Sequence, residues 1–169
     1  SLTYLTVNNF GYTNYTNVRG KMYMNYEYDF SQLWKVAYIG DGYYSVRPLN
    51  KPNMGLHVTG ANTDIYSIGT TDSSTIMSSA QWEITQSAYN DYYIQNYTYT
   101  NKMLTFDYND NNVNVDDFYG HAGQRWLFEP VSVGDKITIY GDSYLTVGNS
   151  TTLSAGVFSS ETLNQSVTW

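Results

Sequence analysis

The residues able to hold a metal or move a proton are few and scattered in this chain. His57 and His121 are its only histidines and there is no cysteine, so a zinc site would have to be assembled from carboxylates. The run Asp107-x-Asn109-x-Asn111 has the alternating oxygen ligands with which calcium loops begin. Asn112, however, stands in place of the required glycine and Phe118 in place of the bidentate glutamate, so a polar hairpin turn is the simpler reading. No Gly-x-Ser-x-Gly frame surrounds any serine, and no hydrolytic nucleophile is signalled. The expectation is a protein with no metal, no cofactor and no enzymatic activity. What the chain does offer is aromatic and hydrogen-bonding surface, with 19 Tyr and only 14% charged residues. Recognition of a polyhydroxylated ligand in water needs a flat aromatic face and a few fixed acceptors, of which a carboxylate is the strongest.

The elements that would position such groups recur. All four tryptophans, Trp34, Trp82, Trp126 and Trp169, fall at steps of 48, 44 and 43 residues. An apolar-x-apolar pair opens each unit: Leu5-Thr6-Val7, Leu56-His57-Val58, Leu104-Thr105-Phe106 and Leu145-Thr146-Val147. Alternation of this kind marks a strand with one buried face. A second strand is expected around Met22-Tyr23-Met24, Ile65-Tyr66, Val113-Asn114-Val115 and Val157-Phe158, followed by the tryptophan strand. Between a tryptophan and the next Leu-x-Val lies a further strand, Tyr43-Tyr44-Ser45-Val46, Tyr92-Tyr93-Ile94 or Ile137-Thr138-Ile139. A period of this size denotes repeated supersecondary units, here of four strands. Turn signals such as Gly40-Asp41-Gly42 separate them, and helical periodicity is thin.

Three units of this length and strand number, each ending in a Gln-x-Trp-like motif, resemble a ricin-type β-trefoil lectin domain over nearly the whole chain. Gln32-Leu33-Trp34 and Gln124-Arg125-Trp126 fit that motif as they stand, whereas Ala80-Gln81-Trp82 and Val167-Thr168-Trp169 lack the glutamine at its usual place. The resemblance implies an all-β trefoil that binds carbohydrate through the residue between the two apolar positions, an aspartate in the family, together with an aromatic on the next strand and a Gln or Asn near the Gln-x-Trp. Here that position holds Thr6, His57, Thr105 and Thr146, so every unit has lost the aspartate. The third unit keeps most around it: Thr105, Asp107 on the same strand face, Asp116 and Gln124. The first keeps Tyr23, Tyr26 and Gln32, and the second has His57 with Tyr66. The expected carbohydrate-contacting residues are therefore Thr105, Asp107, Asp116, Gln124, Tyr23, Gln32, His57 and Tyr66, with weak binding centred on the third unit.

The strand count exceeds a trefoil's twelve by about three. One domain over residues 1–169 would hold units at 1–36 (incomplete), 37–86, 87–130 and 131–169. The first and last of these compete for one place. A displaced triplet would keep unpaired edges, which points to strand exchange between copies and so to a homo-oligomer or polymer. A self-assembling extracellular structural or fibre subunit is thus the alternative to a carbohydrate-binding module. Partners are expected to be glycans or a cell-wall polysaccharide, and the location secreted or cell-surface. A net charge of −7 disfavours nucleic acid. No stretch is long enough to enter a membrane, and any targeting segment is expected to have been removed or to lie outside this chain.

Overall fold

A computed structural model describes residues 3–8, 11–21, 30–69, 75–130, 136–140 and 154–158, the last two stretches by backbone alone. Among the described residues twelve strands are formed: β1 (Tyr4–Val7), β2 (Thr16–Lys21), β3 (Trp34–Gly40), β4 (Tyr43–Pro48), β5 (Met54–Thr59), β6 (Asn62–Ser67), β7 (Trp82–Gln86), β8 (Tyr92–Asn96), β9 (Lys102–Phe106), β10 (Val113–Asp117), β11 (Lys136–Tyr140) and β12 (Ser154–Phe158). Among the described residues there is no α-helix, only short 3-10 turns at Phe30–Gln32, Ser78–Ala80 and Ala122–Gln124, each just ahead of a tryptophan. The chain divides into two units, residues 1–128 and 129–169, where a single domain was expected.

The first unit is built on three antiparallel hairpins, β1–β2, β5–β6 and β9–β10. Their period-two alternation points Leu5 and Val7, Leu56 and Val58, and Leu104 and Phe106 into one core. Cross-strand register aligns Leu5 with Gly20, Leu56 with Ile65 and Leu104 with Val115. These positions also compensate in size. Gly20 stands where its counterparts carry Ile65 and Val115, and a Cβ there would lie 2.2 Å from the Phe106 ring. The larger Phe106, at the place of Val7 and Val58, takes up the space that Gly20 leaves.

Two hydrogen-bond patterns recur at all three hairpins and explain why the sequence repeats in register. The indole N–H of Trp34 donates to Leu5 O (2.9 Å), that of Trp82 to Leu56 O (3.0 Å) and that of Trp126 to Leu104 O (2.9 Å). A large ring can enter the core only if its single polar atom finds an acceptor, so each Leu-x-Val strand and its tryptophan form one contact. The second pattern links the hairpins. Asn62 Nδ2 donates to Asn17 Oδ1 (2.9 Å), Asn17 Nδ2 to Asn112 Oδ1 (2.8 Å) and Asn112 Nδ2 to Asn62 Oδ1 (3.0 Å). This closed ring of three amides takes one asparagine from the corresponding position of each hairpin.

β1, β2 and β3 belong to the threefold repeat of the first unit. They supply Asn17 and Trp34 to the threefold repeat. The second strand of the first unit is β2, a few residues ahead of the Met22–Met24 expected from the sequence, which lies outside the described residues together with Tyr23, Tyr26, Leu145–Val147 and Trp169. In residues 129–169, β11 pairs with β12 from Lys136↔Phe158 to Tyr140↔Ser154. The remaining strands expected of a fourth unit lie outside the described residues.

The strands following the first two tryptophans complete the sheet: β4 pairs with β3 and β7, and β8 with β7 and β9. Tyr92 and Trp126 exchange backbone hydrogen bonds at 2.8 Å. The resulting strand order runs β1-β2-β6-β10-β9-β8-β7-β4-β3, with β5 on β6. Its outward faces present the polar side chains.

Candidate functional site

On each hairpin three positions point away from the core: Thr6, Arg19 and Lys21; His57, Asp64 and Tyr66; Thr105, Asn114 and Asp116, of which Thr6, His57, Asp64 and Thr105 are buried by what packs over them. The expected sugar contacts fall on these faces with unequal results. In the third unit Thr105 and Gln124 are buried. Gln124 Nε2 donates to Thr105 Oγ1 (3.2 Å) and Asp117 O (2.7 Å), while its carbonyl accepts from the backbone N–H of Tyr119 (2.9 Å) and Gly120 (3.0 Å). Thr105 in turn donates to Met103 O (2.7 Å). With its amide N–H groups and carbonyl all engaged, Gln124 braces a loop rather than facing a ligand. Gln32 is likewise buried, its Nε2 donating to the buried Thr6 Oγ1 (3.0 Å). Gln32, Thr105 and Gln124, expected at a sugar, thus bond within the fold: in the first and third units the Gln-x-Trp glutamine closes its own repeat.

Asp107 and Asp116 do lie at the surface, but apart in role. Asp107 Oδ1 accepts from Asn109 N (2.8 Å) and Asn109 Nδ2 (2.9 Å), and Asp110 Oδ1 accepts from Asn112 N (2.8 Å). These are Asx turns, which commit oxygens that a calcium loop would need. Asp116 is exposed on β10, opposite Met103. The loop braced by Gln124 carries exposed Tyr119 and His121, their rings near-parallel at 6.5 Å, which the repeat pattern does not single out.

The second hairpin gathers a polar and aromatic cluster. Its tight turn at Gly60-Ala61 (Gly60 φ +64°) fixes the register Thr59↔Asn62 and hence His57↔Asp64. A carboxylate only accepts hydrogen bonds, so His57 Nδ1 donates to Asp64 Oδ1 (2.8 Å), and Thr59 Oγ1 donates to Asp64 Oδ2 (2.7 Å). Asp64 is buried, and this pairing directs the Nδ1–H at the carboxylate, which in the neutral imidazole leaves Nε2 as the acceptor. The His57 ring lies 4.9 Å from Tyr66, and Tyr15, brought from the loop before β2, meets Tyr66 edge-on at 5.1 Å. Tyr15 is held with φ +66° and its N–H donates to Ile65 O (2.9 Å). A side-chain hydrogen bond with Tyr66, followed by repulsion from that ring's charged form, pushes the Tyr15 hydroxyl above its ordinary value.

Of the residues singled out from the sequence, His57 and Tyr66 are brought together here, with Asp64, Thr59 and Tyr15, which the sequence reading did not single out. Asp64 could have been found by counting the hairpin register back from Gly60-Ala61. Tyr15 comes from another hairpin and leaves no local signal. The exchange of sizes is legible too: where the first and third units pair Thr with Gln, the second pairs His57 with the buried Ala80. The carboxylate missing between the apolar positions stands one strand over.

No protein-family model matches this chain, and no curated protein sequence matches it. Solved structures do. A designed threefold-symmetric protein, ThreeFoil, superposes with a TM-score of 0.58 at 22% identity, covering 73% of this chain and 88% of that one. A GlcNAcα1-4Gal-releasing endo-β-galactosidase from Clostridium perfringens gives 0.61 at 15% identity, over 77% of this chain and 30% of that one. A mosquitocidal holotoxin gives 0.62 at 15%, over 93% and 20%. The chain spans less than a third of the latter two proteins. At these identities the likeness establishes the fold: all-β, a β-trefoil.

Proposed function

We propose that this chain is a non-catalytic, ricin-type lectin-like carbohydrate-binding module of a secreted or cell-surface protein, and that the outward face of its second hairpin takes the sugar. The carrying observation is that face itself: a buried Asp64 holds His57 in one tautomer beside the Tyr66 and Tyr15 rings. Tyrosine rings give a sugar's C–H groups an apolar surface, while His57 Nε2 accepts from a hydroxyl. Asp64 acts behind the histidine and does not touch the ligand. The trefoil fold, shared with part of an endo-β-galactosidase that releases GlcNAcα1-4Gal, supports the reading. Binding is weak, because a neutral imidazole acceptor replaces a charge-assisted one. A glycan array carrying galactose, lactose and cell-wall oligosaccharides tests this, with His57→Ala and Tyr66→Ala run in parallel. Retained binding by both variants counts against the assignment.

A second reading has its own observation. Among the described residues β3 ends the strand order, and Val36 and Tyr38 on it are exposed. An uncovered strand edge invites pairing with another copy, the strand-exchange assembly considered from the sequence. A sizing column run over a range of concentrations distinguishes the two readings; a chain that stays monomeric throughout removes the second.

A further inference from the structure

Where the three hairpins meet, their strands pair in one register: Asn17 opposite Asp64, Asn62 opposite Asn114 and Asn112 opposite Arg19. Two steps further along, that register sets Tyr15 opposite Tyr66, Gly60 opposite Asp116 and Asp110 opposite Lys21. One junction of the three thus carries two phenols. The loop that brings Tyr15 is bonded to both chain neighbours of Tyr66, since Tyr15 N donates to Ile65 O (2.9 Å) and Ser67 N donates to Asn14 Oδ1 (2.9 Å). Those bonds hold Tyr15 at φ +66°, a conformation that a bulky aromatic residue seldom adopts.

The two rings meet at 5.1 Å between centroids and 62° between planes, and their hydroxyls are hydrogen-bonded to each other. Each ortho carbon of a phenol is bonded to the carbon that carries the hydroxyl, so two phenols joined through their oxygens also bring their ortho carbons together. Oxidative phenol coupling starts from that arrangement. Tyr15 is 60% exposed, within reach of a small oxidant in solution. The chain has 19 Tyr and no Cys, so a covalent tie between its hairpins cannot be a disulfide.

We infer that Tyr15 and Tyr66 are the site of an oxidative cross-link, a carbon–carbon bond between their ortho positions that ties the first hairpin to the second. Each phenol gives up one electron and one proton to become a phenoxyl radical, and the two radicals couple at their ortho carbons. The ring hydrogens at those carbons then move to the oxygens, which restores both aromatic rings and both hydroxyls. The net loss is two electrons and two protons. They reduce one hydrogen peroxide to two waters at a haem peroxidase, the class of oxidant the step requires. The bond joins residues far apart in sequence and so restricts the unfolded chain. It requires nothing of a sugar and does not rest on the lectin reading.

Oxidation of the full chain with hydrogen peroxide and a haem peroxidase, followed by biphenol fluorescence and peptide mass mapping, tests this. The inference expects a monomer lighter by two hydrogen atoms, with the peptides that hold Tyr15 and Tyr66 joined, in a yield independent of protein concentration. Tyr15→Phe and Tyr66→Phe keep the rings and remove the hydroxyls, and each should abolish that product. The cross-linked monomer should also unfold at a higher urea concentration than the untreated chain. A biphenol that joins Tyr38 to Tyr44 or Tyr43 to Tyr97 instead, pairs whose rings also meet, would overturn the assignment. Coupling between copies with no bond between residues 15 and 66 of one chain overturns it as well. An equal yield of the Tyr15–Tyr66 product from chain unfolded in urea would show that the fold does not select the pair, and this too overturns it.

Discussion

The ring of Asn17, Asn62 and Asn112 makes a quantitative prediction that ordinary surface amides would not. Each asparagine takes part in two of the three ring hydrogen bonds, one as donor and one as acceptor. At about 1 kcal/mol net per bond, Asn62→Ala costs about 2 kcal/mol, and Asn17→Ala costs the same. Independent sites would add to about 4 kcal/mol in the double variant. In the ring the Asn17–Asn62 bond is shared, so the double variant loses three bonds and costs about 3 kcal/mol. The shortfall of about 1 kcal/mol exceeds the 0.3–0.5 kcal/mol within which distant sites add. Urea denaturation of the four proteins in a double-mutant cycle measures it. Strict additivity, or single variants that unfold with the parent, would refute the ring as a link between hairpins.

Thr63 occupies a core position where the other hairpins have Val18 and Val113, and its buried hydroxyl has no partner, so Thr63→Val should raise unfolding stability by about 1 kcal/mol in the same urea assay. Gly20→Ala should destabilise by driving a methyl group into the Phe106 ring, and Phe106→Val in the same chain should restore most of the loss. Trp126→Ala should cost about 3 to 5 kcal/mol, the range for removing a large core aromatic; a variant that melts like the parent would show that the repeat alignment is wrong.

Much of the fold was legible because its repeated contacts are made by residues of fixed type. A Leu carbonyl and a Trp indole must meet in each repeat, so Leu-x-Val and tryptophan recur in step even while the loops vary. At the C-terminus the same periodicity says less. Ile137–Ile139 and Val157–Phe158 alternate like repeat strands, but alternation states only that one face is buried and not which strand is the partner, and β11 pairs with β12. The site was half legible for a related reason. Carrying a family position onto Thr105 and Gln124 located the right places, but burial depends on what the 3-10 turn lays over them, and there glutamine and threonine satisfy each other. At the second hairpin the same position carries His57, whose ring meets Asp64 and Tyr66 instead. Tyr15 reaches it only through contact between hairpins.

The central claim is that the second hairpin, rather than the third, recognises sugar. Calorimetric titration of lactose into the parent chain, into His57→Ala with Tyr66→Ala, and into Asp107→Ala with Asp116→Ala compares them directly. The account predicts that the first pair of substitutions abolishes the binding heat while the second leaves affinity as in the parent. Binding that survives at the second hairpin's expense, lost only when Asp107 and Asp116 are removed, would contradict it.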